Sequence, residues 1–158
     1  MKIGILGGSF DPAHKGHLAI SKEAKKRFKL EKIIWAITKK NPLKAESKTP
    51  VSKKIKDCKK IIGLNSFIKV KFYENIIKSN KTIDLINYLQ KNKNIEIFFL
   101  MGADNLINFH KWYKSKLISQ KCNIIVFDRH GYKKNSLKSK TFKSLNNKTL
   151  TFVEFKKV

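Results

Sequence analysis

The fold of this chain is decided by one segment near its start, Gly7-Gly8-Ser9-Phe10-Asp11-Pro12-Ala13-His14-Lys15-Gly16-His17. The apolar residues 3–6 before it predict a short buried strand, and apolar residues at helical spacing after it predict a helix opening at about Gly16. A glycine-rich turn lets the backbone approach a ligand closely, and the start of a helix offers backbone N–H groups. The segment therefore predicts an anion site, with phosphate as the anion, at a strand-to-helix turn.

Two histidines lie beside Gly16, and their imidazoles could contact the same phosphate as the backbone. His14 and His17 are therefore candidate functional residues. The candidate phosphate-binding positions in the same segment are Gly7, Gly8, Ser9, Phe10 and Gly16. The segment lacks the Gly-Lys-Ser/Thr ending of a Walker motif and the glycine spacing of the dinucleotide fingerprint. The alternative is a glycine-rich turn carrying two surface histidines.

The bulk composition fits one α/β domain. A chain of 158 residues can bury a single core, and predicted strands alternate with predicted helices. The two cysteines suggest neither a disulfide scaffold nor a zinc cluster. We find no apolar run long enough to span a bilayer and no signal-peptide pattern, so we expect a cytoplasmic protein without a membrane partner.

The net charge of +25 has two candidate causes. Only two of the 36 basic residues are arginine, and lysine, asparagine and isoleucine can all be written with A- and T-rich codons. Biased composition is therefore one cause, and nucleic-acid binding is the other. The lysines are spread along the chain without a nucleic-acid motif, which favours biased composition and predicts no specific nucleic-acid partner.

Further candidates follow predicted strands, at the sheet edge where open α/β sheets bind ligands. The strand over residues 95–101 ends in Gly102-Ala103-Asp104, and the Asp104 carboxylate could accept hydrogen bonds from ribose hydroxyls or merely cap the next helix. Arg129 follows the strand over residues 123–127, and a guanidinium pairs bidentately with phosphate. Two threonines, Thr49 and Thr82, are predicted to cap the helices that follow them.

The first segment, read together with Gly102-x-Asp104 and Phe109-x-x-Trp112-Tyr113, resembles the signatures of the bacterial nicotinate-nucleotide adenylyltransferases. These enzymes are members of the nucleotidylyltransferase superfamily. The resemblance implies a Rossmann-like α/β domain with a mainly parallel sheet of five to six strands flanked by helices. It also implies adenylyl transfer from ATP to nicotinate mononucleotide, with Mg²⁺ accompanying ATP; a homo-oligomer is compatible with it.

The resemblance further assigns roles to single residues. It implies that His17 and His14 donate to the α-phosphate of ATP and that Trp112 stacks on the nicotinate ring. The other implied contacts are Lys44 and Arg129 to phosphate, Asp104 to ribose, and Thr82 and Gly102 to the nicotinate nucleotide. A core position is the alternative for Trp112, a solvated side chain for Lys44, and a surface or packing role for His110. The chain departs from the usual pattern at Lys81, where tyrosine is common.

Related transferases also carry a second signature, close to Ile-Ser-x-Thr-x-Ile-Arg, that holds the ATP β- and γ-phosphates. Residues 1–158 contain no such segment, which we call the phosphate clamp. We therefore expect one nucleotidylyltransferase-like domain over residues 1–158 that lacks the phosphate clamp and binds ATP poorly. Three alternatives stay open at this point. They are a transferase acting on phosphopantetheine, a nucleotide-binding remnant with very low or no turnover, and a basic nucleic-acid-binding protein.

Overall fold

The computed structural model describes residues 1–39, 49–91, 94–102, 105, 109, 111–128 and 150–154. Its strands form one sheet in which every neighbouring pair is parallel, in the order β3-β2-β1-β4-β5-β6. The strands are β1 (Lys2–Gly8), β2 (Lys32–Ile37), β3 (Ile68–Lys71), β4 (Glu96–Gly102), β5 (Asn123–Asp128) and β6 (Leu150–Glu154). This is the strand order of the Rossmann fold, so the predicted Rossmann-like α/β class is confirmed.

Helices cover both faces of the sheet. They are α1 (Lys15–Phe28), α2 (Val51–Ile62), α3 (Glu74–Ile77), α4 (Thr82–Leu89) and α5 (Ser115–Lys121). Alternate residues of each strand point to opposite faces. On β2, Ile34 and Ala36 therefore join the core layer that contains residues of α4 and α5, whereas Ile33, Trp35 and Ile37 join the layer that contains residues of α1 and α2. A strand buried on both faces is apolar throughout, which explains the continuous apolar runs.

The two predicted threonine caps are wrong. Pro50 holds the N-cap position of α2, and the Thr49 hydroxyl donates instead to the Asp11 carboxylate at 2.8 Å. A bond to a charged acceptor is stronger than one to a neutral partner, which explains why Thr49 turns away from the helix. Lys81 holds the N-cap position of α4, and Thr82 is its first residue. The Ser79 hydroxyl accepts the Lys81 backbone N–H at 3.0 Å, so a different side chain shapes this turn.

Both cysteines are buried thiols that form no disulfide. Burial raises the pKa of Cys58 from 9.0 to about 11, with help from the negative charge of Asp57, and burial raises the pKa of Cys122 from 9.0 to about 12. A raised thiol pKa contributes stability that is fully present below pH 9.0 and is lost as the pH rises through these values.

We therefore expect neither thiol to react with iodoacetamide at neutral pH until the protein unfolds, because the thiolate is the reactive form. The measurement is the number of alkylated cysteines by mass spectrometry, with and without denaturant. Rapid labelling of Cys58 in the folded protein would contradict the burial of its thiol.

No helix in the described part of the chain is both long and apolar enough to cross a membrane.

Candidate active site at the carboxyl ends of the strands

A cavity of about 410 Å³ lies at the carboxyl edge of the sheet. It opens beside β1 and β4, where the strand order reverses and where open α/β sheets bind their ligands. Its volume is in the range of small-molecule sites. The sequence-predicted residues that line it are Gly7, Gly8, Ser9, Phe10, His14, His17, Thr82 and Trp112.

Two other candidates that the structure describes, Gly16 and Gly102, are not part of this lining. Gly16 is buried in the first turn of α1, where its backbone N–H donates to the His14 ring, and Gly102 ends β4. Lys44, Asp104 and Arg129 lie outside the described residues.

The two glycines at the end of β1 leave backbone uncovered at the cavity wall. A Cβ atom added to Gly7 would lie 3.6 Å from the Phe99 ring, and one added to Gly8 would lie 3.6 Å from the Phe10 ring. Both distances are ordinary van der Waals contacts, so the surrounding protein does not require glycine at either position. What these glycines provide is access, since a ligand in the cavity can approach the backbone closely.

The histidine pair begins helix α1 and is held by reciprocal hydrogen bonds. His14 is the N-cap residue, and its Nδ1 accepts the Gly16 N–H at 3.0 Å, while His17 Nδ1 accepts the His14 N–H at 3.1 Å. This arrangement is a capping box with imidazoles in place of the usual side chains. Because each Nδ1 accepts a hydrogen bond, each neutral ring carries its proton on Nε2.

The two imidazoles therefore present equivalent donor atoms within one small region. Their ring centroids are 3.9 Å apart in a stacked arrangement, and both residues line the cavity. Two Nε2–H groups beside the start of a helix suit an anion that develops negative charge. This geometry supports the sequence-based prediction of a phosphate site at the turn.

Phe10 packs against His17 of the histidine pair and has a backbone conformation that few residues adopt. Its φ of 50° lies in the left-handed region, which is costly for a side chain other than glycine. Its ring is buried, stacks on Trp35 at 5.2 Å between centroids, and meets His17 at 4.6 Å. The buried Phe10 ring thus packs against the His17 ring.

Trp112 also lines the cavity and is half-buried. Its ring meets Phe99 edge-on at 5.9 Å and packs against Phe109 at 5.0 Å. These two buried rings fix its orientation, and the residue also lines the cavity. Trp112 therefore packs against the core and also lines the cavity, and its stacking on a nicotinate ring stays a prediction.

Charged and hydroxyl groups that the sequence analysis did not assign to the site also line the cavity. The Glu74 carboxylate accepts the Lys39 N–H at 3.4 Å, and burial raises the pKa of Tyr73. Thr38, directly after β2, donates its backbone N–H to Gly8 at 2.9 Å, and its hydroxyl is buried without a partner among the described residues. A polar residue at the end of a buried strand was a usable signal for Thr38, whereas nothing in the local pattern marks Glu74.

The sequence is similar to those of several known proteins. The sequence matches the cytidylyltransferase-like family over residues 5–154. It is 68% identical over 157 residues to a protein of Pelagibacter ubique named probable nicotinate-nucleotide adenylyltransferase, covering 99% of this chain and 87% of that protein. A protein of the same name from Bradyrhizobium sp. is 36% identical over 130 residues, covering 82% of this chain and 68% of that protein.

The fold also has a solved counterpart. It is similar to the structure of Plasmodium falciparum nicotinic acid mononucleotide adenylyltransferase complexed with APC, with a TM-score of 0.79 and 19% sequence identity. The match covers 99% of this chain and 76% of that chain. At this identity the likeness supports the fold alone.

Proposed function

Because this chain belongs to the nicotinate-nucleotide adenylyltransferases, within the cytidylyltransferase-like family, we propose that it transfers an adenylyl group from ATP to nicotinate mononucleotide. The products are nicotinate adenine dinucleotide and pyrophosphate, which places the reaction in NAD biosynthesis. One observation of the site carries the proposal. A single cavity joins a pair of imidazole donors, suited to phosphate, with an indole ring suited to a pyridinium.

The reaction needs no protein nucleophile. An oxygen of the acceptor 5′-phosphate attacks the α-phosphorus of ATP in line, the new P–O bond forms, and the bond to the β-phosphate breaks to release pyrophosphate. Catalysis of such a transfer consists of positioning and of stabilising charge in the transition state. We propose that the Nε2–H groups of His14 and His17 donate to the α-phosphate oxygens, together with backbone N–H groups near Ser9 and Phe10.

Mg²⁺ belongs to this proposal as a companion of ATP. In the described part of the chain no group of three or more His, Cys, Asp or Glu side chains lies close enough to hold a metal ion. Mg²⁺ keeps several waters and commonly binds through substrate phosphates, so the donor set of the site fits a metal that arrives on the polyphosphate. Bound there, it would offset the charge of the leaving pyrophosphate.

The remaining sequence-based roles stay predictions. They are phosphate contacts for Gly7, Gly8, Gly16, Lys44 and Arg129, and nucleotide contacts for Thr82, Gly102 and Asp104. A cytoplasmic location and a homo-oligomer also stay predictions.

Isothermal titration calorimetry separates the proposed acceptor from phosphopantetheine and from a nucleic-acid ligand. Nicotinate mononucleotide should bind, whereas phosphopantetheine and a DNA oligomer should not bind specifically. DNA held by charge alone loses affinity steeply as salt is raised, which identifies that mode if it occurs. Binding of phosphopantetheine in preference to nicotinate mononucleotide would overturn the proposed acceptor.

We expect Lys81 to make the site prefer nicotinate mononucleotide over nicotinamide mononucleotide. It lines the cavity, as Thr82 and Trp112 do, and its Nζ lies 5.9 Å from the centre of the Tyr113 ring. An ammonium in the cavity lining can make a charge-assisted hydrogen bond to the nicotinate carboxylate, which the neutral amide cannot match. The tyrosine common at this position in related enzymes carries no such charge.

We therefore expect Lys81→Gln to weaken the binding of nicotinate mononucleotide by about tenfold, the equivalent of about 1.4 kcal/mol. The affinity for nicotinamide mononucleotide should change little, so the ratio of the two dissociation constants should move closer to one. Lys114→Gln is the matched control, because Lys114 also lies over the Tyr113 ring, at 5.3 Å, but does not line the cavity. Equal effects of the two substitutions on the ratio of the two dissociation constants would contradict the role of Lys81.

A further inference from the structure

Trp35 is buried in β2, on the sheet face that packs against α1, and is 0% exposed. Its indole Nε1–H donates to the Ser21 hydroxyl at 2.8 Å, and that hydroxyl donates to the His17 carbonyl at 2.8 Å. Ser21 is also 0% exposed. A continuous path of two hydrogen bonds therefore joins the core strand β2 to the backbone of His17.

A second path joins the same tryptophan to the imidazole of His17. Phe10 stacks on the Trp35 ring with 17° between the ring planes, and the Phe10 and His17 rings then meet at 4.6 Å. The Trp35 and His17 rings also approach each other directly, at 5.8 Å between centroids. Trp35 thus contacts both Ser21, which bonds the backbone of His17, and Phe10, which packs against the His17 ring.

The residue types at these positions fit that role better than they fit packing alone. The neighbouring inward positions on β2 are the aliphatic Ile33 and Ile37, which fill the same core layer without a polar atom. A buried indole N–H requires a partner, and Ser21 supplies one from the middle of α1. Serine competes with the backbone for hydrogen bonds in a helix interior, so alanine would suit that helix better if packing were the only demand.

We propose that Trp35 and Ser21 are positioning residues that hold the His17 imidazole in its productive orientation, in which its Nδ1 accepts the His14 N–H. The catalytic half of this proposal rests on the proposed function. Orientation matters because donors must be held to within about 0.5 Å and 10–20° of productive geometry, and a misplacement of about 1 Å can cost about 10²-fold in rate. Neither residue lines the cavity, so both act through His17.

The kinetic test uses Trp35→Phe, which keeps an aromatic ring and removes the N–H donor, and Ser21→Ala, which removes the bridging hydroxyl. We expect each to lower kcat by about tenfold, with little change in the KM for nicotinate mononucleotide. The control is Ile33→Val, a core change on the same strand that lowers stability without touching either path. Assays are run well below the melting temperature of every variant.

A double-mutant cycle with His17→Ala distinguishes positioning from general destabilisation. If Trp35 acts through His17, adding Trp35→Phe to His17→Ala leaves kcat within about twofold of His17→Ala alone. Two effects that multiply would overturn the proposal, and so would an unchanged kcat in both Trp35→Phe and Ser21→Ala. Should Trp35→Phe fail to fold, the Ser21→Ala cycle decides the question alone.

A spectroscopic test does not depend on activity. Long-range ¹H–¹⁵N spectra of histidine rings report which nitrogen carries the proton. We expect the wild-type protein and Ile33→Val to show a single Nε2–H tautomer for His17, and Ser21→Ala to show mixed tautomers or broadened signals. A protein with no turnover but with this pattern would refute the proposed function and keep the positioning role, whereas identical spectra for all variants would refute the positioning role.

Discussion

Replacing His17 by alanine is expected to lower kcat by about 10²- to 10³-fold, the usual effect of removing one preorganised donor from a developing charge. The Nδ1 atom of His17 accepts the His14 backbone N–H at 3.1 Å, so its Nε2 carries the proton of the neutral ring. That proton is the donor we assign to the α-phosphate. The measurement is steady-state pyrophosphate release with both substrates saturating.

Because His17 also completes the capping box of α1, alanine removes a structural bond together with the donor. This cap loss is expected to cost about 0.5–2 kcal/mol of stability. His17→Gln separates the two effects, since glutamine at this helix position can accept the same backbone N–H. We expect His17→Gln to restore the melting temperature and not the rate. Full activity in either variant would refute the assignment of His17.

Replacing Trp112 by alanine is expected to weaken nicotinate mononucleotide binding by roughly 1–3 kcal/mol, the effect of removing an aromatic on which a base stacks. The indole is held at 5.0 Å from the Phe109 ring and lines the cavity, so its orientation is set before a ligand arrives. ATP affinity should hardly change. Separate titrations of the two ligands give both dissociation constants.

Trp112→Phe is the matched variant, because phenylalanine keeps a stacking surface on the same two supporting rings. We expect it to bind nicotinate mononucleotide more tightly than Trp112→Ala does. A parallel loss of affinity for both ligands, with a fall in melting temperature, would mean that Trp112 serves the core and not the ligand.

The sheet could be predicted from sequence because strands buried on both faces are continuous apolar runs. The expected strand over residues 95–101 is observed at Glu96–Gly102, and the helix expected to open at about Gly16 begins at Lys15. The cap at Thr49 could not be predicted correctly because the partner of its hydroxyl is not local, whereas the cap at Thr82 is wrong although Ser79, which shapes that turn, is only two residues from Lys81. Thr49 is drawn to Asp11, which is distant in sequence and adjacent in space.

The candidate site was predicted where local sequence carries the chemistry. The local sequence marks His14, His17 and Trp112 as candidates, and all three line the same cavity. Trp35 appeared only as part of an apolar strand, because its hydrogen bond to Ser21 joins two elements and leaves no mark in either. Contacts between residues that are distant in sequence cannot be predicted from local sequence patterns.

The most direct test of the central claim is product analysis of the purified chain incubated with nicotinate mononucleotide and Mg·ATP. ATP is supplied at millimolar concentration. The account predicts nicotinate adenine dinucleotide and pyrophosphate in equal amounts, formed only when both substrates are present. Pyrophosphate formation that requires phosphopantetheine, or no dinucleotide although nicotinate mononucleotide binds, would contradict it.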